Sequence, residues 1–320
     1  MPPVIHDLAP ESAPPRTSSD RWAAVGRLGD RVWSRMRRRS GLQSLYRRGP
    51  LTLRRSVHYL RYYGRLPRLV RPRTLNEKVN WRICFDRREL LSWTCDKLRM
   101  KQEAQRRDPG IAVPATLWQG TDLAELAALP LPDRWVLKAN HSSQLVHLGA
   151  GRPSVAELEQ VTRGWLTPSY QETVFGEWAY QQAEVCLLVE EWIGDDDGAP
   201  PADLKFLCFD GRVAVIQVHL SRYSDHTVAF YDPSWRRLPV TASKTPPAPE
   251  IPAPRNLAQL LEHAQRLSAG FDFIRVDLYD TDRGVVFGEF TPYPASGLVE
   301  FEPAGFDRYL GDLWTLPRRR

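Results

Sequence analysis

The stretch RVDLYDTDRGVVFGEF, residues 275–290, reads as two short strands joined by a turn, because β-branched and aromatic residues lie on both sides of the turn residues Asp280–Gly284. With the turn centred near Asp282, residue 277 pairs with 287 and residue 275 with 289. Arg275, Asp277 and Glu289 then share one face. Ile274, Val276, Leu278, Val286 and Phe290 share the other, which is core. The two carboxylates fall on diagonal positions, about 7–8 Å apart at Cα. From there they can converge on Mg2+, which takes oxygen ligands and keeps waters or phosphate oxygens besides. Arg275, opposite Glu289, can bind it or hold an anionic intermediate bidentately. A surface hairpin with an ordinary Arg–Glu pair is the plainer alternative. Phe273 and Phe287, both placed on the charged face, count against it.

The same texture recurs upstream. WVLKANH (135–141), VCLLVEEWI (185–193), DLKFLCF (203–209) and RVAVIQVHL (212–220) are short, rich in β-branched or aromatic residues, and bounded by turn residues. Asp210-Gly211 is a hairpin signal. Helical stretches lie at 154–165 and 256–269, and the Pro-rich segment 245–254 is an extended loop. Residues 52–130 look mainly helical, with breaks at 64–67 and 107–110. Helices in front of a mainly antiparallel α+β body disfavour a regular βαβ alternation.

Two strands carry a lysine where burial is expected. Lys138 stands between Leu137 and Ala139, and Lys205 between Leu204 and Phe206. Lysine is seldom buried without a partner, so each either reaches outward or meets a fixed anion such as phosphate. The polar run from Asn140 through Ser142, Ser143 and Gln144 can turn its amides toward phosphate. Glu190 and Glu191 end a buried strand and can offer a carboxylate to ribose hydroxyls. The histidines lack metal-ligand spacing, and the four cysteines lack the close pairs of a zinc site, so they read as free buried thiols.

With 42% hydrophobic and 10% aromatic residues, 320 residues can bury a sizeable core in two or three lobes. No run of about 18 apolar residues occurs, and no signal peptide is visible at residues 1–20, a Pro- and Ser-rich stretch expected to be disordered. A cytoplasmic protein, peripheral at the inner membrane face at most, is the expectation. Charge is uneven: residues 1–73 hold seventeen arginines, no lysine and four acids, a net +13, so within a chain of +6 the remaining 247 residues carry −7. Residues 22–48 have a helical apolar pattern with an Arg-dense opposite face, suited to an anionic polymer or membrane surface, or simply solvated.

The order Lys, strand ending in glutamate, second Lys, then Asp-x11-Glu resembles the ATP-grasp superfamily. More narrowly, RTLNEKVNWR (73–82), CDKLRMK (95–101), WVLKANHSS (135–143), GEWAY (176–180), LVEEWI (188–193), DLKFLCFDG (203–211), FIRVDLY (273–279) and GEFTPYPASG (288–297) are similar to the TupA-like ATP-grasp family, named for teichuronopeptide synthesis. The resemblance covers residues 67–312. It implies an α+β ATP-grasp fold, two α+β subdomains clasping ATP, preceded by a mainly helical N-terminal region. The divisions are a tail at 1–20, a basic helical arm at 21–66, a helical region at 67–130, a nucleotide-binding subdomain at 131–194 and a metal and catalytic subdomain at 195–320.

Carried over by position, Lys138, Lys205, Ser142 and Ser143 serve the nucleotide phosphates, and Glu190 or Glu191 the adenine–ribose hinge. Asp277 and Glu289 hold Mg2+, and Arg275 and Lys205 are catalytic. Thr291 stands where many relatives place a third, Asn ligand. The implied reaction joins a carboxylate to an amine, an amino acid by expectation, through an acyl phosphate, on a cell-surface polysaccharide or a specialised metabolite. A kinase acting on a hydroxyl is the near alternative, and a non-catalytic binder of anionic polymer or membrane the distant one. Nucleic acid is not an expected partner.

Overall fold

The segment Asp203–Phe209 (β5) is the middle strand of a five-stranded sheet, and the Asp210-Gly211 turn joins it to its neighbour Arg212–Leu220 (β6). Both turn residues take positive φ, 47° and 73°, the left-handed pair that matches strand twist in a tight hairpin. The computed structural model describes residues 49–194, 201–220, 225–242 and 245–318. The expected helix over 22–48 and the 1–20 tail lie outside them.

In chain order, helices Leu51–Tyr63 (α1), Leu75–Phe85 (α2) and Lys97–Arg107 (α3) come first. Strand Thr116–Gly120 (β1), helix Leu123–Ala128 (α4), strands Arg134–Ala139 (β2) and Val146–Ala150 (β3), helix Val155–Val161 (α5) and strand Leu187–Glu191 (β4) follow. After β5 and β6 come Thr227–Tyr231 (β7), Thr241–Ala242 (β8), helix Leu257–Ser268 (α6), Phe273–Thr281 (β9), Gly284–Thr291 (β10), Phe301–Glu302 (β11) and helix Gly305–Leu313 (α7). Three antiparallel sheets result: β1-β4-β2-β3, β10-β9-β5-β6-β7 and the small β11-β8. The first takes in Thr116–Gly120, so the smaller sheet draws on chain before residue 131, a stretch that reads as mainly helical. Among the described residues no helix is long and apolar enough to cross a membrane.

The larger sheet is buried on both faces, but differently. On one face Leu204, Phe206, Ile216, Val218, Ile274, Val276 and Leu278 pack with Leu260, Ala264 and Leu267 of α6 and with Met100 and Ala104 of α3. The opposite face changes character along its strands. One end, with Leu207, Phe209, Val215 and Phe273, packs with Val79 of α2 and with Phe306 and Leu310 of α7. At the other end the same alternation delivers Asp203, Lys205, Gln217, Arg275, Asp277 and Glu289. A third core under the smaller sheet joins Trp135, Leu137, Leu187 and Val189 to Leu126 and Leu158.

The hairpin register differs from the sequence-based one. The turn is the two residues Asp282 and Arg283, so Thr281 pairs with Gly284 and Leu278 with Phe287. A bulge at Gly288 then inserts one residue, and Glu289 lies directly opposite Asp277, not on its diagonal. One extra residue in β10 reverses its side-chain parity. Val285 and Phe287 lie between the turn and the bulge, opposite Asp280 and Leu278, and so belong to the core face, while Phe273 belongs to the apolar end of the site face. Counting from a turn centred near Asp282 places Val286 in the core and Phe287 on the charged face, one residue out of step with the two-residue turn.

Candidate active site

The polar end of the larger sheet is a chain of alternating charge. Lys205 is 2% exposed and donates to Asp203 at 2.6 Å and to Asp277 at 2.5 Å. Arg275 grips Asp277 with two parallel bonds of 2.7 Å and reaches Glu289 Oε1 at 2.8 Å. Burial opposes the charge on Arg275, but Asp277 and Glu289 outweigh it and raise its pKa. The Thr291 hydroxyl donates to the same Glu289 oxygen at 3.2 Å. Cross-strand register explains the convergence, since Asp277 is the direct partner of both Lys205 and Glu289. Further along this face His219 lies opposite Asp203 and stacks on His226, with 2.8 Å between Nδ1 and Nε2.

The smaller sheet contributes a second cluster. Glu190, 4% exposed, takes Lys138 on one oxygen at 2.5 Å and Lys101 on the other at 2.8 Å. Burial alone would raise its pKa; the two lysines prevail and hold it at about 2. Glu191 turns the other way, accepting from the Ala115 amide at 3.1 Å and from Arg283 at 3.2 Å. Ser142 is 3% exposed, and Ser143 is held by the Gln171 amide at 2.5 Å, so the loop after β2 is tied down by side chains.

Helix α3 connects the clusters, and sequence reasoning assigned none of its lysines. Asp96 caps it, accepting from Leu98 and Arg99 amides. Lys97 and Lys101, four apart, project from one side. Lys97 binds the backbone carbonyls of Ala139, Asn140 and Ser142. Burial lowers its pKa to about 8, against the pull of Glu289 in one sheet and Glu190 in the other. The available signal was the capping Asp followed by an i, i+4 lysine pair on a helix whose Met100 and Ala104 are core.

Residues 77–315 match the TupA-like ATP-grasp family.

The chain belongs to that family.

Its fold is the α+β ATP-grasp fold. Among solved structures it is similar to D-alanine–D-alanine ligase from Bacillus anthracis complexed with ATP, at 18% identity and TM-score 0.39, covering 70% of this chain and 65% of that one. An ADP complex of N5-carboxyaminoimidazole ribonucleotide synthetase matches at 13% identity and TM-score 0.39, over 64% and 46% of the two chains. L-amino acid ligase from Bacillus licheniformis matches at 14% and 0.39, over 64% and 42%. The chain thus spans less than two thirds of these proteins, and the family assignment rests on the 77–315 match. No curated protein matches the chain.

For this ATP-grasp chain the donor chemistry suits Mg2+. Asp277 and Glu289 are hard oxygen donors directly opposite one another, and Mg2+ is commonly held by one or two carboxylates with the remainder from water and phosphate. Glu289 is 36% exposed on its side chain and hydrogen-bonds through one oxygen only among the described residues. Asp277 is 1% exposed, with both oxygens engaged by Lys205 and Arg275, so an ion there competes with two fixed cations. No group of three or more His, Cys, Asp and Glu suited to a metal occurs among the described residues. The Thr291 hydroxyl, bonded to Glu289, is a further oxygen beside the pair.

Proposed function

We propose that this chain is an ATP-dependent carboxylate–amine ligase. A substrate carboxylate takes the terminal phosphoryl group of ATP to give an acyl phosphate. An amine, an amino acid by class, then displaces phosphate to give an amide. The observation that carries the reading is the gathering of Lys205 and Arg275 with Asp277 and Glu289 on one half of one sheet face, with Lys97, Lys101 and Lys138 across from them. Fixed cations beside carboxylates stabilise developing phosphoryl charge without reorganising at the moment of reaction.

In this reading Lys97, Lys101, Lys138 and the Ser142–Ser143 loop serve the nucleotide from subdomain 131–194 and its helical approach. Glu190 orients Lys101 and Lys138, while Glu191 is the carboxylate left for the ribose. Arg275 and Lys205 hold the transferred group in subdomain 195–320. Mg2+ bound by Asp277 and Glu289 would neutralise phosphate charge. The acid is carried on a cell-surface polysaccharide or a specialised metabolite.

The test is ATP turnover with candidate acids, with and without hydroxylamine. Trapped hydroxamate supports an acyl phosphate, whereas ADP release with a phosphorylated hydroxyl supports a kinase. Glu289→Gln should lower ATP turnover about 100-fold while leaving the thermal midpoint nearly unchanged, because Glu289 is partly exposed. Full turnover in that variant would remove the site assignment.

A further inference from the structure

Between α1 and α2 runs RLPRLVRPR, residues 65–73, with four arginines and no acid. Both ends of this loop are pinned to one buried carboxylate. Arg65 donates to Glu77 Oε1 at 2.7 Å and to the Tyr59 hydroxyl at 2.9 Å, and the Arg73 amide donates to Glu77 Oε2 at 3.0 Å. Gly64 ends α1 in the left-handed conformation, at φ 67°, and Pro67 and Pro72 restrict the backbone between. A loop so fixed nonetheless presents apolar side chains to water: Leu66 is 61% exposed, Val70 88% and the adjoining Tyr62 37%. Arg68, Arg71 and Arg73 make no side-chain hydrogen bond or ion pair among the described residues.

We propose that the 65–73 loop is a docking surface for an anionic lipid bilayer. Charge selects the sign of the partner, since Arg68, Arg71 and Arg73 are exposed and residues 49–73 contain no acid beside them. The chain's own N-terminus is a poor cover, because residues 1–48 carry ten further arginines against four acids. Leu66 and Val70 select a bilayer over a soluble polyanion: a polyanion would use the guanidinium groups and leave both aliphatic side chains in water. At a lipid interface aliphatic groups enter the acyl boundary while arginines lie at the phosphates.

The experiment is co-sedimentation of the full chain, without ATP, on phosphatidylcholine vesicles with and without phosphatidylglycerol, alongside retention on heparin as the soluble polyanion. Binding should require phosphatidylglycerol and fall about fivefold for each of Arg68→Gln, Arg71→Gln and Arg73→Gln at low salt. Leu66→Ser with Val70→Ser should weaken vesicle binding and leave heparin retention as it was. All five sites are exposed, so the thermal midpoint should hold in every variant and exclude misfolding as the cause. Vesicle binding that is absent, or indifferent to both sets of substitutions, overturns the proposal. Heparin retention that falls with the arginines, without vesicle binding, assigns the loop to a soluble polyanion instead. None of these readouts depends on catalysis, so the ligase reading stands or falls separately.

Discussion

Glu177 and Glu190 are both buried glutamates, 3% and 4% exposed, yet their carboxyls are displaced in opposite directions. Burial pushes both up. At Glu190 two lysines in contact reverse the effect and hold it at about 2. At Glu177 the Ser296 hydrogen bond and the more distant Arg55 do not suffice, and the carboxyl rises to about 7. The direction sets a pH dependence. Between about pH 4.5, where the unfolded carboxyl titrates, and about pH 7, the native state holds the extra proton. Stability therefore falls as pH rises through that window. Below it Glu177 costs nothing; above it the charged form costs on the order of 3 kcal/mol. Glu177→Gln should accordingly raise the thermal midpoint at pH 8 and leave it unchanged at pH 4. An equal shift at both values would show that packing, not charge, is responsible.

At the scale of the element, the β9–β10 hairpin shows where pattern reading stops. Alternation identified both strands, their turn and the three charged residues on one face. It could not reveal the Gly288 bulge, because an extra residue leaves no periodic mark when glycine provides no side chain to place. Gly288 is required there: an added Cβ would stand 2.9 Å from the Tyr279 ring and 3.0 Å from the Asp277 carbonyl oxygen. Gly288→Ala should cost about 1–3 kcal/mol through this crowding. It should also lower ATP turnover, because Glu289 loses its place opposite Asp277. Loss of stability with turnover intact would detach the bulge from the site. The strand Asp203–Phe209 was legible to the residue, since its apolar run ends at the Asp210-Gly211 turn.

For the whole molecule, the folded unit begins before the family match. Arg55 on α1 is fully buried and bonds Asn80 at 2.9 Å, the Ser296 hydroxyl at 3.0 Å and the Ser296 carbonyl at 2.5 Å. Tyr63 adds a bond to the Val299 carbonyl at 2.6 Å. Chains starting at residue 49 and at residue 67 differ by α1 and the start of the loop after it. The one starting at residue 67 leaves those polar partners stranded and should lose about 3–5 kcal/mol relative to the other, roughly 10 °C or more. An unchanged midpoint in the shorter chain would show α1 to be an accessory. From sequence, 21–66 reads as one basic arm; its last part is structural because a single arginine finds partners 25 and 241 residues away.

The sequence by itself determined the α+β class, the long strands, the two faces of β5 and β9, and the charged residues that interrupt otherwise apolar runs. These follow from alternation and turn chemistry, which act over a few residues. Only the tertiary structure decided what each charge meets. Lys205 lies between Asp203 and Asp277, Lys101 reaches Glu190 across 89 residues, and Lys97 closes on the loop after β2. A buried charge takes whichever opposite charge the register and helix packing bring within reach, and that choice is made by contacts far apart in the chain.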